Sequence, residues 1–217
     1  MTDLVSDADR DAEALIRDAL ARERPEDGLL AEEGTRATGE SGRRWVFDPL
    51  DGTVSYLYGY PHWCVSVALE DTRGTAVGVV YDPNRDELFA AERGAGATLA
   101  GRAIRVRDTA PPERALVATG FGYEAAWRAE QAEVVRRLLP AVRDIRRAGS
   151  AALDLAWLAA GRLDAYYERG LNAWDWAAGS LLVLEAGGAV EELSDEPFGL
   201  IAGAQPLVAA LRPLVEA

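Results

Sequence analysis

The segment Trp45-Val46-Phe47-Asp48-Pro49-Leu50-Asp51-Gly52-Thr53 constrains this chain more than any other. Apolar residues with strand character deliver two carboxylates, three positions apart, into a tight turn. Pro49 fixes one φ angle, and Gly52 permits a close backbone approach. Two carboxylates brought to one point repel each other. A hard cation between them relieves the repulsion, and Mg²⁺ prefers oxygen ligands of this kind. The amides of Gly52 and Thr53 suit a phosphate oxygen, more so if a helix begins there. An ordinary Asp-Pro-x-Asp-Gly surface turn is the bland alternative for the same residues.

Composition narrows the chemistry. The chain of 217 residues has a formal charge of −13, all 23 basic residues are arginines, and they are scattered rather than gathered into a stripe. Nucleic-acid binding neutralises phosphates with clustered basic side chains, so no nucleic-acid partner is expected. His62 and Cys64 are the lone histidine and the lone cysteine. Zinc sites built from His and Cys, Ser–His–Asp triads and Cys–His dyads therefore lack partners. Cys64 reads as a buried strand residue and His62 as a structural loop residue. The N-terminus, Met1 to Asp7, is acidic and lacks a long apolar core, and no uncharged stretch reaches membrane-spanning length. The expectation is a cytoplasmic protein without a membrane partner.

Periodicity predicts layered α and β structure. Ser6-Asp7-Ala8-Asp9 opens a helix in capping-box style, running to about Arg24. Residues 26–43 read as a polar loop with room for a short strand. Strands follow at 45–47, 63–70, 76–81, 87–92 and 103–106, separated by turn signals that suggest an antiparallel meander. The rest alternates: strand 115–119, helix 123–139, strand 144–147, a helix from Ser150, strand 163–168, an almost wholly apolar helix 175–186 ended by Gly187-Gly188, and strand 189–193. This divides the chain into 1–110, a helix plus an antiparallel-sheet half with the metal loop, and 111–217, an α/β half.

The string around Asp48 resembles the first signature of the inositol monophosphatase family, and further segments match that family in order. Ala31-Glu32-Glu33-Gly34 resembles its Gly-Glu-Glu. Trp174-Asp175-Trp176-Ala177-Ala178-Gly179 with Glu185-Ala186-Gly187-Gly188 resembles its second signature. Val5-Ser6-Asp7-Ala8-Asp9 is similar to the segment whose last aspartate helps orient the attacking water. Gly149-Ser150-Ala151-Ala152 and Tyr167-Glu168-Arg169-Gly170 match substrate-side segments. Each has a bland reading alone, as a charged loop, an N-cap or a capping-box acid. The matches run from about Leu4 to Leu193.

The resemblance implies a five-layered α-β-α-β-α sandwich of the inositol monophosphatase and fructose-1,6-bisphosphatase type, without the usual first N-terminal helix and its lysine-bearing loop. It implies two to three Mg²⁺ ions. One would be held by Glu32, Asp48 and the Leu50 carbonyl, a second by Asp48, Asp51 and Asp175, and a weaker third by Glu32 and waters. Asp9, Thr53 and Glu32 would be catalytic, with Gly52 and Thr53 on phosphate. Asp51, Gly149, Ser150, Ala151, Glu168 and Asp175 would contact substrate. The expected activity is lithium-sensitive, Mg²⁺-dependent hydrolysis of a small polyol phosphate, myo-inositol monophosphate first, by a homodimer. Fructose-1,6-bisphosphate, histidinol phosphate and 3′-phosphoadenosine nucleotides are alternative substrates, and a weakly active regulatory homologue is an alternative of another class. Ala31 stands where the family usually has Gly, and Ser55 where Asn is common.

Overall fold

The computed structural model of the chain describes residues 6–108, 111–194 and 196–216. The expectations for Met1 to Val5 and the boundary between the halves at 110 lie outside the described residues.

Helix α1 (Asp7–Glu23) starts where the capping box places it, with Ser6 as N-cap and Asp9 returning a carboxylate to the Ser6 amide at 2.9 Å. It packs against β3 (Arg44–Asp51) of an eight-stranded sheet. Around β3 lie β1 (Gly28–Ala31), β2 (Arg36–Ala37), β4 (Cys64–Asp71), β5 (Gly74–Asp82), β6 (Glu87–Glu92), β7 (Gly96–Leu99) and β8 (Arg102–Ala103). Their spatial order is β2-β1-β3-β4-β5-β6-β7-β8. From β3 onward this is the antiparallel meander expected, whereas β1 runs parallel to β3. The short helix α2 (Thr53–Leu57) follows β3 directly.

The strand expected at 103–106 is displaced. Ala100 and Gly101 adopt positive φ angles of 49° and 76°, which closes a hairpin between β7 and β8. The chain then leaves the sheet, and the Val106 amide donates to the Ala186 carbonyl at 3.1 Å.

A second, five-stranded sheet contains β9 (Leu116–Thr119), β10 (Asp144–Arg146), β11 (Ala165–Arg169), β12 (Ala189–Glu192) and β13 (Gly199–Gly203) in the order β10-β9-β11-β13-β12. Helices α4 (Ala151–Ala159) and α5 (Ala173–Glu185) lie between the sheets, while α3 (Ala125–Leu138) and α6 (Gln205–Glu216) cover the far face of the second. Alternation along the strands separates the two cores. Ala118, Tyr166, Leu200 and Ala202 face α4 and α5, whereas Val117, Ala165, Tyr167 and Ile201 face α6 with Leu138 of α3. The result is the five-layered sandwich that the resemblance implies. Among the described residues no helix is long and apolar enough to cross a membrane.

Candidate active site

Asp48 and Asp51 are three residues apart, so on a regular strand they would face opposite sides. The sheet corrects this locally. Asp48 lies opposite Ser66 and Asp51 opposite Cys64, so three steps of β3 match two of β4, and the extra residue is a bulge. Pro49, which has no N–H to offer a ladder, sits within that irregularity. The bulge re-aims Asp51 to the side of Asp48, and both line one cleft of about 210 Å³. Gly52 ends the turn at φ 101°, where a Cβ would lie 3.0 Å from the His62 carbonyl oxygen. Gly52 is also the N-cap of α2 and carries no side chain to meet that helix's first amides.

Each carboxylate is seated on backbone or hydroxyl donors. Asp48 Oδ1 accepts from the Leu50 amide at 2.8 Å. Asp51 Oδ2 accepts from Ser150 Oγ and the Ala152 amide, both at 2.7 Å, at the N-terminus of α4. Ser150, the α4 N-cap, also accepts from the Leu153 amide at 3.3 Å. Asp175 is the third residue of α5, and its Oδ2 accepts from the Asn172 amide at 2.6 Å. The helix therefore starts at Ala173 behind an Asn172 cap, two residues earlier than the sequence suggests. Glu32 follows β1 and lines the same cleft, close enough to Asp48 for its charge to raise that carboxyl.

Burial and mutual repulsion set the electrostatics. Burial pushes the Asp48 carboxyl well above the ordinary carboxylate range, and Glu32, Asp51 and Asp175 add to the rise. Asp175 is raised in the same way, by burial first and by Asp51 next, against the opposing Asn172 bond. Asp51 is pushed up to about 6 by burial, which its Ser150 and Ala152 bonds offset in part. Among the described residues no arginine forms an ion pair with Asp48, Asp51 or Asp175, and no three acidic, imidazole or thiol groups already stand in ion-holding geometry. This all-oxygen donor set has an excess of buried negative charge, and it fits a hard divalent cation.

The water-orienting pair expected from the sequence is in contact. Thr53 Oγ1 donates toward Asp9 Oδ1 at 3.0 Å, with the Leu50 carbonyl a second acceptor at 3.3 Å. Asp9 is fully buried. Val5, the first residue of its matched segment, lies outside the described residues.

Gly149, Ser150, Ala151 and Glu168 line the same cleft. Glu168 lies against Gly120, where a Cβ would meet its carboxylate at 2.1 Å. Its carboxyl is pushed up to about 7 by burial, opposed by a 2.7 Å bond from the Tyr166 hydroxyl. Cys64 is buried at the start of β4, 3.4 Å from Ser150 Oγ. His62 is buried with Nε2 3.1 Å from Asp154 Oδ1.

Several cleft residues escape sequence reasoning. Phe121 and Trp127 come from the connection after β9 and from α3, Asp154 from α4, and Arg147 from the loop after β10. The Arg147 guanidinium lies 5.8 Å from the Phe121 ring centroid, in electrostatic reach of Glu168 and Asp154. The arginine cluster at 143–147 carries a weak signal that reads as a solvated face.

An inositol-1-monophosphatase of Rhizobium meliloti is 44% identical, with 99% of this chain and 83% of that protein covered. A Nus factor SuhB of Xylella fastidiosa is 50% identical, with 87% and 68% covered. The crystal structure of the extragenic suppressor protein suhB from Bartonella henselae superimposes with a TM-score of 0.92 at 41% identity, covering 98% of this chain and 84% of that one. The model of the inositol monophosphatase family matches residues 1–216, and this chain belongs to that family.

Proposed function

We propose that the protein is a Mg²⁺-dependent phosphatase that hydrolyses a phosphate monoester of a small polyol, with myo-inositol monophosphate as the leading candidate. The observation that carries the reading is one cleft in which Glu32, Asp48, Asp51 and Asp175 lie beside a hydrogen-bonded Thr53–Asp9 pair. The inositol-1-monophosphatase named among its relatives supports the same substrate class.

Glu32, Asp48, the Leu50 carbonyl, Asp51 and Asp175 would hold the ions. When bound there, Mg²⁺ would supply charge neutralisation for the phosphate dianion and a more acidic water, in a cleft whose carboxylates otherwise repel the substrate. Asp9 accepts from the Thr53 hydroxyl and so fixes its rotamer, which directs a lone pair of Thr53 toward an attacking water. Gly52 makes the turn at a positive φ against the His62 carbonyl, and the amides of Gly52 and Thr53 would meet phosphate oxygens. Glu168 and Ser150 would face the alcohol part of the substrate and set preference without performing chemistry, beside the free edge of the ion-holding Asp51. Positioning and charge stabilisation supply the rate, so no histidine nucleophile is required.

A phosphate-release panel at saturating Mg²⁺ tests the substrate assignment. It comprises myo-inositol 1-phosphate, fructose-1,6-bisphosphate, histidinol phosphate and 3′-phosphoadenosine 5′-phosphate. The reading expects the highest kcat/KM for the inositol ester, and a clear preference for another member of the panel would reassign the substrate. One relative is named a Nus factor, which favours a regulatory binding role as the second reading. Folded, Mg²⁺-binding protein that turns over no ester of the panel would support that second reading.

A further inference from the structure

Helix α1 is tied down by charge. Its buried side chains are the carboxylates of Asp9 and Glu13, whereas Leu15 is 75% exposed. Burying a carboxylate is costly unless donors surround it, and both are surrounded. Asp9 serves Ser6 and Thr53. Glu13, one turn further on the same face, takes three bonds from the turn after β1. The Glu33 amide donates to Oε2 at 2.8 Å, and the Thr35 amide and hydroxyl donate to Oε1 at 2.9 and 2.6 Å. The Ala31 amide closes the same turn on the Thr35 carbonyl at 2.9 Å. That turn contains Glu32, which lines the cleft beside Asp48.

We infer that Glu13 is a positioning residue for Glu32: by gripping residues 33–35 from α1, it fixes where the Glu32 carboxylate enters the cleft. Asp9 and Glu13 together lock the Thr53 hydroxyl and the Glu32 turn to one rigid helix, at a spacing of about 6 Å along it. Three donors converge on Glu13, so only a carboxylate, which accepts at both oxygens and donates at neither, satisfies them all. The inference rests on the reading of this cleft as a cation-dependent phosphatase site. A comparable clamp elsewhere isolates the effect. Glu185 accepts from the Gly94 and Gly96 amides at 2.8 and 2.9 Å, and that turn supplies no cleft residue.

The test measures Mn²⁺ binding by electron paramagnetic resonance on wild type, Glu13→Gln, Thr35→Val and Glu185→Gln, with melting temperatures in parallel. Glu13→Gln keeps the shape but turns an NH₂ toward a donor, and it should weaken the tightest Mn²⁺ site by roughly ten- to a hundredfold. Thr35→Val, which removes one of the three bonds, should weaken it roughly several-fold. Glu185→Gln should lower the melting temperature and leave Mn²⁺ affinity unchanged. In turnover, Glu13→Gln should need more Mg²⁺ for half-maximal rate and recover kcat when Mg²⁺ is raised. Folded Glu13→Gln with wild-type Mn²⁺ affinity overturns the inference, as does an equal loss in Glu185→Gln. If Glu13→Gln does not fold, Thr35→Val decides, and unchanged affinity there overturns it. Wild type that binds no Mn²⁺ overturns the phosphatase reading and the inference with it.

Discussion

Glu168→Gln should stabilise the metal-free protein at pH 8, and the gain should shrink as the pH falls. Glu168 stands at the end of β11 on the cleft wall, with burial as the main cause of its raised pKa and the Asp154 and Asp51 charges adding to it. The native carboxyl binds its proton more tightly than the unfolded chain does. Between the ordinary value of 4.5 and about 7, the native state therefore holds more protons, and wild-type stability falls as pH rises through that window. The rise is worth a ceiling near ~3 kcal/mol at about 1.36 kcal/mol per pH unit. The side chain is only half-buried in an open cleft with Arg147 nearby, and solvent screening reduces the expected figure to about 1–2 kcal/mol. A neutral amide carries no such cost and still accepts from the Tyr166 hydroxyl. Urea denaturation followed by tryptophan fluorescence, in chelator at pH 8, 6.5 and 5, reads the difference between the two proteins. The other buried carboxyls titrate in both proteins, so the difference reports Glu168 together with its coupling to Asp51, Asp154 and Asp175. A variant less stable than wild type at pH 8, or a gap that ignores pH, would refute the reasoning. In turnover the same substitution should raise KM for polyol phosphates and leave an aryl phosphate little affected.

Asp48→Asn should reduce turnover below about one per cent of wild type, because that carboxylate is assigned to both principal ions, whereas Asp175→Asn should recover partly as Mg²⁺ is raised; steady-state assays across a Mg²⁺ titration separate the two. Thr53→Ala should lower kcat and leave Mn²⁺ affinity near wild type, since the hydroxyl orients water; a parallel loss of metal binding would reassign it. A homodimer is expected at micromolar concentration, as two-fold assemblies are the commonest kind, and a monomer mass by light scattering would contradict it.

The parts of the fold legible in the sequence are those governed by local chemistry. Ser6 and Ser150 cap α1 and α4 where their hydroxyls predict, and alternation along 63–70, 76–81 and 87–92 yields β4, β5 and β6. Strand β13 and helix α6 escape because their signals conflict. Leu200-Ile201-Ala202 is a short run buried on both faces, and α6 contains Pro213, which reads as a helix breaker. The parallel pairing of β1 with β3 is a long-range choice that no local pattern encodes.

The candidate site divides the same way. Its metal-side carboxylates lie in three short strings that resemble family segments, at 31–34, 48–51 and 174–179, and so stand out. Arg147, Asp154 and Phe121 reach the cleft only through the stacking of α4 and the second sheet. Glu13 looks like any solvated glutamate of an acidic helix until the turn at 33–35 folds onto it.

On this reading the cleft hydrolyses a phosphate monoester only with a hard divalent cation on its carboxylates. Phosphate release from myo-inositol 1-phosphate by the purified chain, with Mg²⁺, with excess chelator, and with Mg²⁺ restored, tests it most directly. Turnover is expected with Mg²⁺, none in chelator, and recovery on restoration, with Asp48→Asn silent throughout. Hydrolysis that persists in excess chelator, or that survives in Asp48→Asn, would contradict it.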